Sequence, residues 1–197
     1  MAASAVAAAL ESNLIQSMKA DWRKLVGSIV MICFALIAIY RWHHSHILFF
    51  LLLAFRDLVA GYFLAIRRRG ITLSSISNRA LAYTSSAIPL LYLQGTQSNH
   101  HLIIFALLLN ILGFLVSTLA TIELGDRMGV APAKRGEICH SGVYKITRHP
   151  MYLGYFIAEL GNVILNPLNA VIFAISIAGY ILRAKRETKI LSTKQQI

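Results

Sequence analysis

The sequence predicts an all-α, polytopic integral membrane protein with about six transmembrane or re-entrant helices. Apolar residues make up 57% of the 197 residues, and the mean hydropathy of +0.63 is typical of membrane proteins. The net charge of +11 does not indicate nucleic-acid binding, because the basic residues flank apolar segments and form no separate basic domain. A chain of this length predicts a single domain.

Residues 1–24 predict an interfacial helix that lies on the membrane, or else a tail. Apolar side chains recur every four residues and would form one stripe along a helix: Val6, Leu10, Leu14, Met18 and Trp22. Trp22 suits the depth of the lipid headgroups. No basic region precedes the apolar residues 2–10 and Glu11 soon interrupts them, so we do not expect a cleaved signal peptide.

Six apolar segments follow, and they predict the helices of the membrane region. They are roughly 25–40, 46–66, 80–93, 102–122, 151–165 and 168–182. A spanning helix needs about 20 apolar residues, so the second and fourth segments are long enough to cross a bilayer. The third, fifth and sixth are shorter. The last two meet at Asn166-Pro167, which predicts a tight C-terminal helical hairpin.

The basic residues predict the orientation of the chain. Of the 19 Lys and Arg residues, 17 fall in four groups on one side of the six segments: Lys19, Arg23 and Lys24; Arg67, Arg68, Arg69 and Arg79; Arg127, Lys134, Arg135, Lys145 and Arg148; Arg183, Lys185, Arg186, Lys189 and Lys194. Cytoplasmic loops of membrane proteins are enriched in Lys and Arg. We therefore expect both termini and the 123–150 loop in the cytoplasm, with six crossings.

Residues 142–152 place Arg, His, Pro and two Tyr together at the boundary between this loop and the fifth segment. Pro150 suits the first turn of a helix, where a missing N–H has no consequence, and its ring disfavours helix at His149. His149 should therefore lie at a helix N-terminus, which favours anionic groups. The position therefore suits a carboxylate or a phosphate-like group.

Several spaced motifs in the last 75 residues or so carry a family resemblance. The pattern Ser-Gly-Val-Tyr-x-x-x-Arg-His-Pro-x-Tyr-x-Gly at 141–154 is followed by Asn166-Pro167 and by Arg-x-x-x-Glu at 183–187, and it is preceded by the loop 124–135. Together they resemble the isoprenylcysteine carboxyl methyltransferase family of integral-membrane, S-adenosylmethionine-dependent enzymes. The agreement of several elements in order is more specific than a lone short motif.

The resemblance implies that 123–197 is the cofactor-binding catalytic region and that 25–122 forms the acceptor side. It implies cofactor contacts from Gly136, Glu137, Ile138, Cys139, Tyr144, His149, Pro150, Met151, Tyr152 and Glu187. Chemistry permits these roles, because Tyr faces pack against a sulfonium or adenine and Glu accepts from an ammonium or hydroxyl. Alternatively, Tyr144 and Tyr152 are interfacial anchors and Arg148 is a cytoplasmic surface charge.

Arg183 and Glu187 lie one helical turn apart on the same face. The resemblance makes Arg183 the residue that binds the acceptor carboxylate, for which a planar guanidinium is well suited, and makes Glu187 a cofactor ligand. A simple surface ion pair is the alternative. The family usually has a second acid after this Glu, whereas this chain has Thr188.

Two further polar groups lie within apolar segments. Arg56-Asp57 falls in the second segment, where charges are usually functional or neutralise each other; neighbouring helical residues point about 100° apart, so each would need its own partner. Glu159 in the fifth segment, with Asn162, either lines the acceptor site as a proton acceptor or is a buried group bonded to another helix. We see no metal-ligand spacing.

We interpret the chain as a membrane methyltransferase that transfers a methyl group from S-adenosylmethionine to a lipophilic acceptor, either prenylated or a small molecule. A carboxylate acceptor needs no general base, whereas a thiol or amine would make His149 or Glu159 candidate bases. Alternatives are an NADPH-dependent, sterol-reductase-like membrane enzyme, for which too few basic groups are evident, and a non-enzymatic assembly or transport subunit. Besides the acceptor, the expected partner is the lipid bilayer, and no nucleic acid is expected.

Overall fold

A computed structural model describes residues 2–68, 70 and 74–192, with side chains from residue 24 onward. The described chain is all-α, as predicted, and contains no strand within those ranges. Its helices are α1 (Ala2–Ser45), α2 (Leu48–Ile66), α3 (Ile76–Ala87), α4 (His100–Leu124), α5 (Pro150–Leu165) and α6 (Asn169–Ser192). Each predicted apolar segment therefore corresponds to one helix.

α1 is longer than the apolar segment that predicted it. It runs without interruption from Ala2 to Ser45, so residues 2–24 continue directly into the first apolar helix. The predicted stripe from Val6 to Trp22 lies outside the described side chains, and its contact with the membrane surface stays a prediction.

Within the described residues, three helices are long and apolar enough to cross a membrane: Lys24–Ser45, Leu48–Ile66 and His100–Arg127. α3 is a short helix of 12 residues that continues through a 3₁₀ turn at Ile88–Leu91. α5 has 16 residues, which corresponds to a length of about 24 Å at 1.5 Å per residue. Each of the six predicted crossings corresponds to a helix. The number of these helices that span the bilayer stays a prediction.

The connections between helices gather at the two ends that the charge pattern distinguishes. At the basic end, Arg68 pairs with Asp126, and the Arg186 Nη1 donates to the Asn78 Oδ1 at 2.8 Å. At the other end, the Thr96 N–H donates to the Leu165 carbonyl at 2.9 Å. The loop after α3 therefore packs against the α5–α6 hairpin, whereas the loop between α4 and α5 lies with the ends of α2 and α6.

Small residues bring α4 and α5 into close contact. A methyl group added to Gly113 of α4 would collide with the backbone of Gly154 and Ala158 on α5. The Asn110 Nδ2 donates to the Ala158 carbonyl at 2.5 Å across the same interface. Such close packing and interhelical hydrogen bonds are what hold helices together in lipid, where water does not drive apolar association.

The charged pair in α2 neutralises itself. The Arg56 side chain folds back so that its Nε donates to the Asp57 Oδ1 at 2.9 Å, and both side chains are buried. The guanidinium also lies 4.8 Å from the centre of the Tyr155 ring on α5. The expectation that the two residues need separate partners is wrong, because the long Arg side chain reaches its own neighbour.

We expect Gly113→Ala to lower the thermal stability of the detergent-solubilised protein. The added methyl group meets rigid backbone of α5, so the two helices must separate and the Asn110 hydrogen bond must lengthen. Overpacking of this kind costs about 1–3 kcal/mol. Thermal unfolding followed by circular dichroism measures the effect.

The matched control is Gly61→Ala in α2, where an added methyl group would have its nearest contact at 3.4 Å, an ordinary van der Waals distance. It should leave the unfolding temperature unchanged or raise it, because Ala favours helix. Equal effects of the two substitutions would contradict the assignment of the α4–α5 contact as the tight one.

Candidate functional site

A cavity of about 340 Å³ opens at the basic end, between the 125–149 loop, the start of α5 and the end of α6. Most residues implicated by the resemblance line it: Glu137, Ile138, Cys139, Tyr144, His149, Met151, Tyr152, Arg183 and Glu187. These residues come from three separate parts of the chain. The fold therefore gathers them around one space of the size that small-molecule ligands occupy.

Two residues implied by the resemblance, Gly136 and Pro150, do not line this cavity, and neither does the candidate base Glu159. Gly136 is exposed, with a φ of +119°, and belongs to the turn that leads into the cavity wall. Pro150 is fully buried as the first residue of α5, the position that its ring geometry predicts. Glu159 lies deeper in α5.

Glu159 joins three elements in the interior of the helix bundle. It is only 2% exposed, and its two carboxylate oxygens accept hydrogen bonds from the Tyr92 hydroxyl at 2.8 Å and the Tyr180 hydroxyl at 2.5 Å. This arrangement corresponds to the second reading of Glu159, a buried group bonded to other elements. Glu159 therefore does not line the cavity.

His149 stands at the N-terminus of α5 and contacts α6. Its Nε2 lies 2.9 Å from the Thr188 Oγ1, and its Nδ1 lies 3.7 Å from the Glu187 Oε2. Thr188, the residue that departs from the family pattern, therefore bonds to the signature His. This contact fixes the orientation of the imidazole at the cavity wall.

Tyr152 connects the start of α5 to α6. Its hydroxyl donates to the Glu187 Oε2 at 3.1 Å, and its ring stacks on Tyr180 with 5.9 Å between the ring centroids. The Arg183 guanidinium carbon lies 5.2 Å from the centre of the same ring. An aromatic face, a carboxylate and a guanidinium thus meet within one helical turn of α6.

Arg183 is 3% exposed and is held from two sides. Its Nη1 donates to the Ser85 Oγ at 3.1 Å and the Ser86 Oγ at 3.3 Å, and its Nη2 donates to the Val130 carbonyl at 2.9 Å. The Nε of Arg183 is buried and has no hydrogen-bond partner in the described structure. Arg183 is therefore a buried, oriented cation with a spare donor, not half of a surface ion pair with Glu187.

Tyr144 enters the cavity from a 3₁₀ turn, Gly142–Lys145, that Glu123 holds in place. Both carboxylate oxygens of Glu123, near the end of α4, accept from the Val143 N–H, at 3.1 and 3.0 Å. Gly142 has a φ of +47°, and a side chain there would collide with this carboxylate. Burial, with the nearby Glu187 charge, raises the pKa of Tyr144, which stays a neutral phenol at pH 7.

The sequence reasoning missed several residues that build the site. Glu123 and the serine pair Ser85-Ser86 contact it from α4 and α3, and no local pattern marks them. The segment Gly129–Ala133 also lines the cavity. This segment could have been predicted from the sequence, because it lies in the 124–135 loop, which is part of the family resemblance.

The cavity is richer in arginine than the sequence suggested. Arg127, Arg135, Arg148 and Arg183 all line it, together with the carboxylates Glu137 and Glu187. Arg127 and Arg135 precede the signature by 14 and six residues, and the path of the loop places both on the cavity wall. The excess of cations suits a ligand that carries anionic groups.

Residues 102–193 match the isoprenylcysteine carboxyl methyltransferase (ICMT) family. No curated protein and no solved structure matches the chain. The matched region contains nearly all of α4, the loop, α5 and α6, which together form most of the cavity wall. The resemblance that the motifs carried is thus confirmed at the level of the family over these residues.

We expect Glu123→Ala to loosen the turn that presents Tyr144. The buried Cys139 thiol lies 3.3 Å from the Ser141 Oγ beside this turn, so its alkylation rate reports local opening. Loss of a hydrogen bond to a charged group, about 1.5–3 kcal/mol, should raise the maleimide reaction rate about tenfold or more. The rate is measured in a Cys33→Ser background.

Glu137→Ala is the control, because it removes an exposed carboxylate from the same loop. It should leave the maleimide reaction rate of Cys139 nearly unchanged. Glu123→Gln keeps one acceptor oxygen, so its rate should lie between those of Glu137→Ala and Glu123→Ala. Equal rates in Glu123→Ala and Glu137→Ala would contradict the role of Glu123.

Proposed function

We propose that this protein is an integral-membrane methyltransferase that uses S-adenosylmethionine to methylate a carboxylate of a lipophilic acceptor, as for a prenylated cysteine. The observation that carries the proposal is the convergence of Tyr152, Glu187 and Arg183 on the cavity within the region that matches the family. The acceptor's apolar part would lie toward the helices and its carboxylate toward the basic end.

The residues of the cavity fit S-adenosylmethionine. Tyr144 and Tyr152 offer aromatic faces to a sulfonium or an adenine, and Glu187 offers carboxylate oxygens to an ammonium or a ribose hydroxyl. Guanidinium groups on the wall suit a carboxylate. When bound, the cofactor supplies an electrophilic methyl group on its sulfonium.

The positions of the candidate bases favour a carboxylate acceptor over a thiol or amine. Glu159 lies outside the cavity and accepts from two tyrosines, and the His149 Nε2 is engaged by Thr188. A carboxylate is already ionised at neutral pH and needs neither residue. Arg183, with its spare Nε, is then the residue that would orient it, and catalysis would rest on alignment, proximity and exclusion of water.

We place the cavity at the cytoplasmic surface of the membrane. Its walls carry basic residues of the third and fourth groups, which the positive-inside rule assigns to the cytoplasm. The three long apolar helices support a membrane location for the chain. In this arrangement a lipophilic acceptor enters from the bilayer and a water-soluble cofactor from the cytosol.

One observation favours a second function, NADPH-dependent reduction. The four arginines on the cavity wall could bind the phosphates of NADPH. Two of them are engaged within the protein, since Arg127 contacts the carbonyls of Leu124, Glu123 and Glu137, and Arg183 contacts α3. A purified protein that binds NADPH and not S-adenosylhomocysteine would establish this alternative.

We expect Arg183→Lys and Glu187→Gln to impair different steps of methyl transfer. Lys keeps the charge but loses the planar fork, so Arg183→Lys should lower kcat/KM for the acceptor and leave cofactor affinity nearly unchanged. Glu187→Gln should weaken binding of S-adenosylhomocysteine by about 1.5–3 kcal/mol, typical of a hydrogen bond to a charged group. Calorimetry gives cofactor affinity, and transfer of a labelled methyl group to a prenylcysteine acceptor gives the kinetics.

Arg186→Lys is the matched control, because it makes the same change on the same helix at a residue that contacts Ser77 and Asn78 outside the cavity. It should leave both measurements unchanged. Equal loss of cofactor affinity in Arg183→Lys and Glu187→Gln would move Arg183 into the cofactor site. No methyl transfer and no S-adenosylhomocysteine binding by the unaltered protein would contradict the proposed function.

A further inference from the structure

Arg135 lies on the cavity wall beside Gly129, which leaves space for its guanidinium. Its guanidinium lies against Gly129, where a methyl group would come within 2.6 Å of the Arg135 Cζ and 2.8 Å of its Nη2. Only a residue without a side chain leaves room for the guanidinium there. Gly129 and Arg135 both belong to the 124–135 loop, so the loop itself positions this guanidinium.

The guanidinium of Arg135 has no hydrogen-bond partner in the described part of the chain. No hydrogen bond or ion pair joins it to residues 24–68, 70 or 74–192, and its Nε is buried and unpaired. Arg127 on the same wall differs, since all three of its donor nitrogens contact backbone carbonyls. Of these two arginines, Arg135 is the one whose donors are not used by the described residues.

The surroundings of Arg135 disfavour its charge. Burial, followed by the positive charge of Arg67, lowers the pKa of Arg135 to about 10, and Glu187 offsets this only in part. The group is still a cation at pH 7. A partly buried cation without a hydrogen-bonded counter-charge is unfavourable unless an anion completes the site.

We propose that Arg135, seated on Gly129, binds a carboxylate of one of the two ligands of this cavity. The inference rests on the proposed function, in which both ligands carry one carboxylate: the cofactor at its amino-acid end, and the acceptor at the group to be methylated. Among the described residues that line the cavity, Arg135 and Arg183 are the arginines whose Nε is both buried and unpaired. With Arg183 on the acceptor, Arg135 takes the cofactor carboxylate; the reverse assignment uses the same chemistry.

Binding measurements on the unaltered protein and three variants test the proposal. Arg135→Gln removes the cation, Gly129→Ala displaces it without a change of charge, and Lys145→Gln removes an exposed charge from the same loop outside the cavity. Gly129 does not require a left-handed backbone, so Ala fits its conformation. The ligands are S-adenosylhomocysteine, 5′-methylthioadenosine, which lacks the amino-acid end, and N-acetyl-S-farnesylcysteine.

We expect Arg135→Gln and Gly129→Ala to weaken binding of S-adenosylhomocysteine about tenfold or more in calorimetry, with 5′-methylthioadenosine unaffected. Lys145→Gln should change neither. If the acceptor supplies the carboxylate, the same two variants instead weaken binding of N-acetyl-S-farnesylcysteine and leave the affinity for S-adenosylhomocysteine unchanged. Thermal unfolding of each variant confirms that the fold is kept, and the second variant carries the test if one fails to fold.

If Arg135→Gln and Gly129→Ala left the affinities for S-adenosylhomocysteine and N-acetyl-S-farnesylcysteine unchanged, the proposal would be overturned while the proposed function would stand. Equal weakening of S-adenosylhomocysteine and 5′-methylthioadenosine would also overturn it, because the effect would then lie on the nucleoside. Failure of the unaltered protein to bind S-adenosylhomocysteine would overturn the proposed function and this inference together.

Discussion

The close approach of α4 and α5 is the constraint on which the rest of the structure depends. Helices in lipid gain little from burying apolar side chains against each other, so backbone contact through small residues and interhelical hydrogen bonds must hold them. Gly113 against Gly154 and Ala158, with Asn110 bonded to the Ala158 carbonyl, supplies both. This contact fixes α5 along α4 and so determines where the N-terminus of α5 emerges.

The functional site follows from that position. Because α5 is fixed, His149 and Tyr152 reach Thr188 and Glu187 on α6, and the loop that returns from α4 must fold over the same end. Glu123 at the end of α4 then orients the turn that carries Tyr144, and Arg183 connects α6 to α3 and to Val130 of the loop. Each polar contact joins two elements that the apolar packing alone would leave free to slide.

Much of the fold and part of the site could be predicted from the sequence, because their signals are local. Apolar runs give the six helices, Pro150 marks the start of α5, and the motif from Ser141 to Gly154 names several residues that do line the cavity. Contacts between distant segments carry no such signal. The bonds from Arg183 to Ser85 and from Glu123 to Val143 depend on how helices are rotated and shifted, which periodicity does not specify.

The placement of Glu159 shows the same limit. Helical geometry puts it on a face similar to that of His149, but its partners, Tyr92 and Tyr180, come from elements far away in the sequence. Those tyrosines bond the Glu159 carboxylate to two other elements of the bundle. The same logic explains Arg127 and Arg135, whose approach to the signature depends on the path of a loop.

The central claim is that the cavity between the 125–149 loop and α6 binds S-adenosylmethionine, and hydrogen–deuterium exchange of the detergent-solubilised protein with and without S-adenosylhomocysteine tests it most directly. We expect the ligand to slow exchange of backbone amides in residues 139–147 and 187–191, which line or support the cavity, and to leave 100–118 of α4 unchanged. Unchanged exchange throughout, or protection confined to the 94–99 loop at the opposite end, would contradict the account.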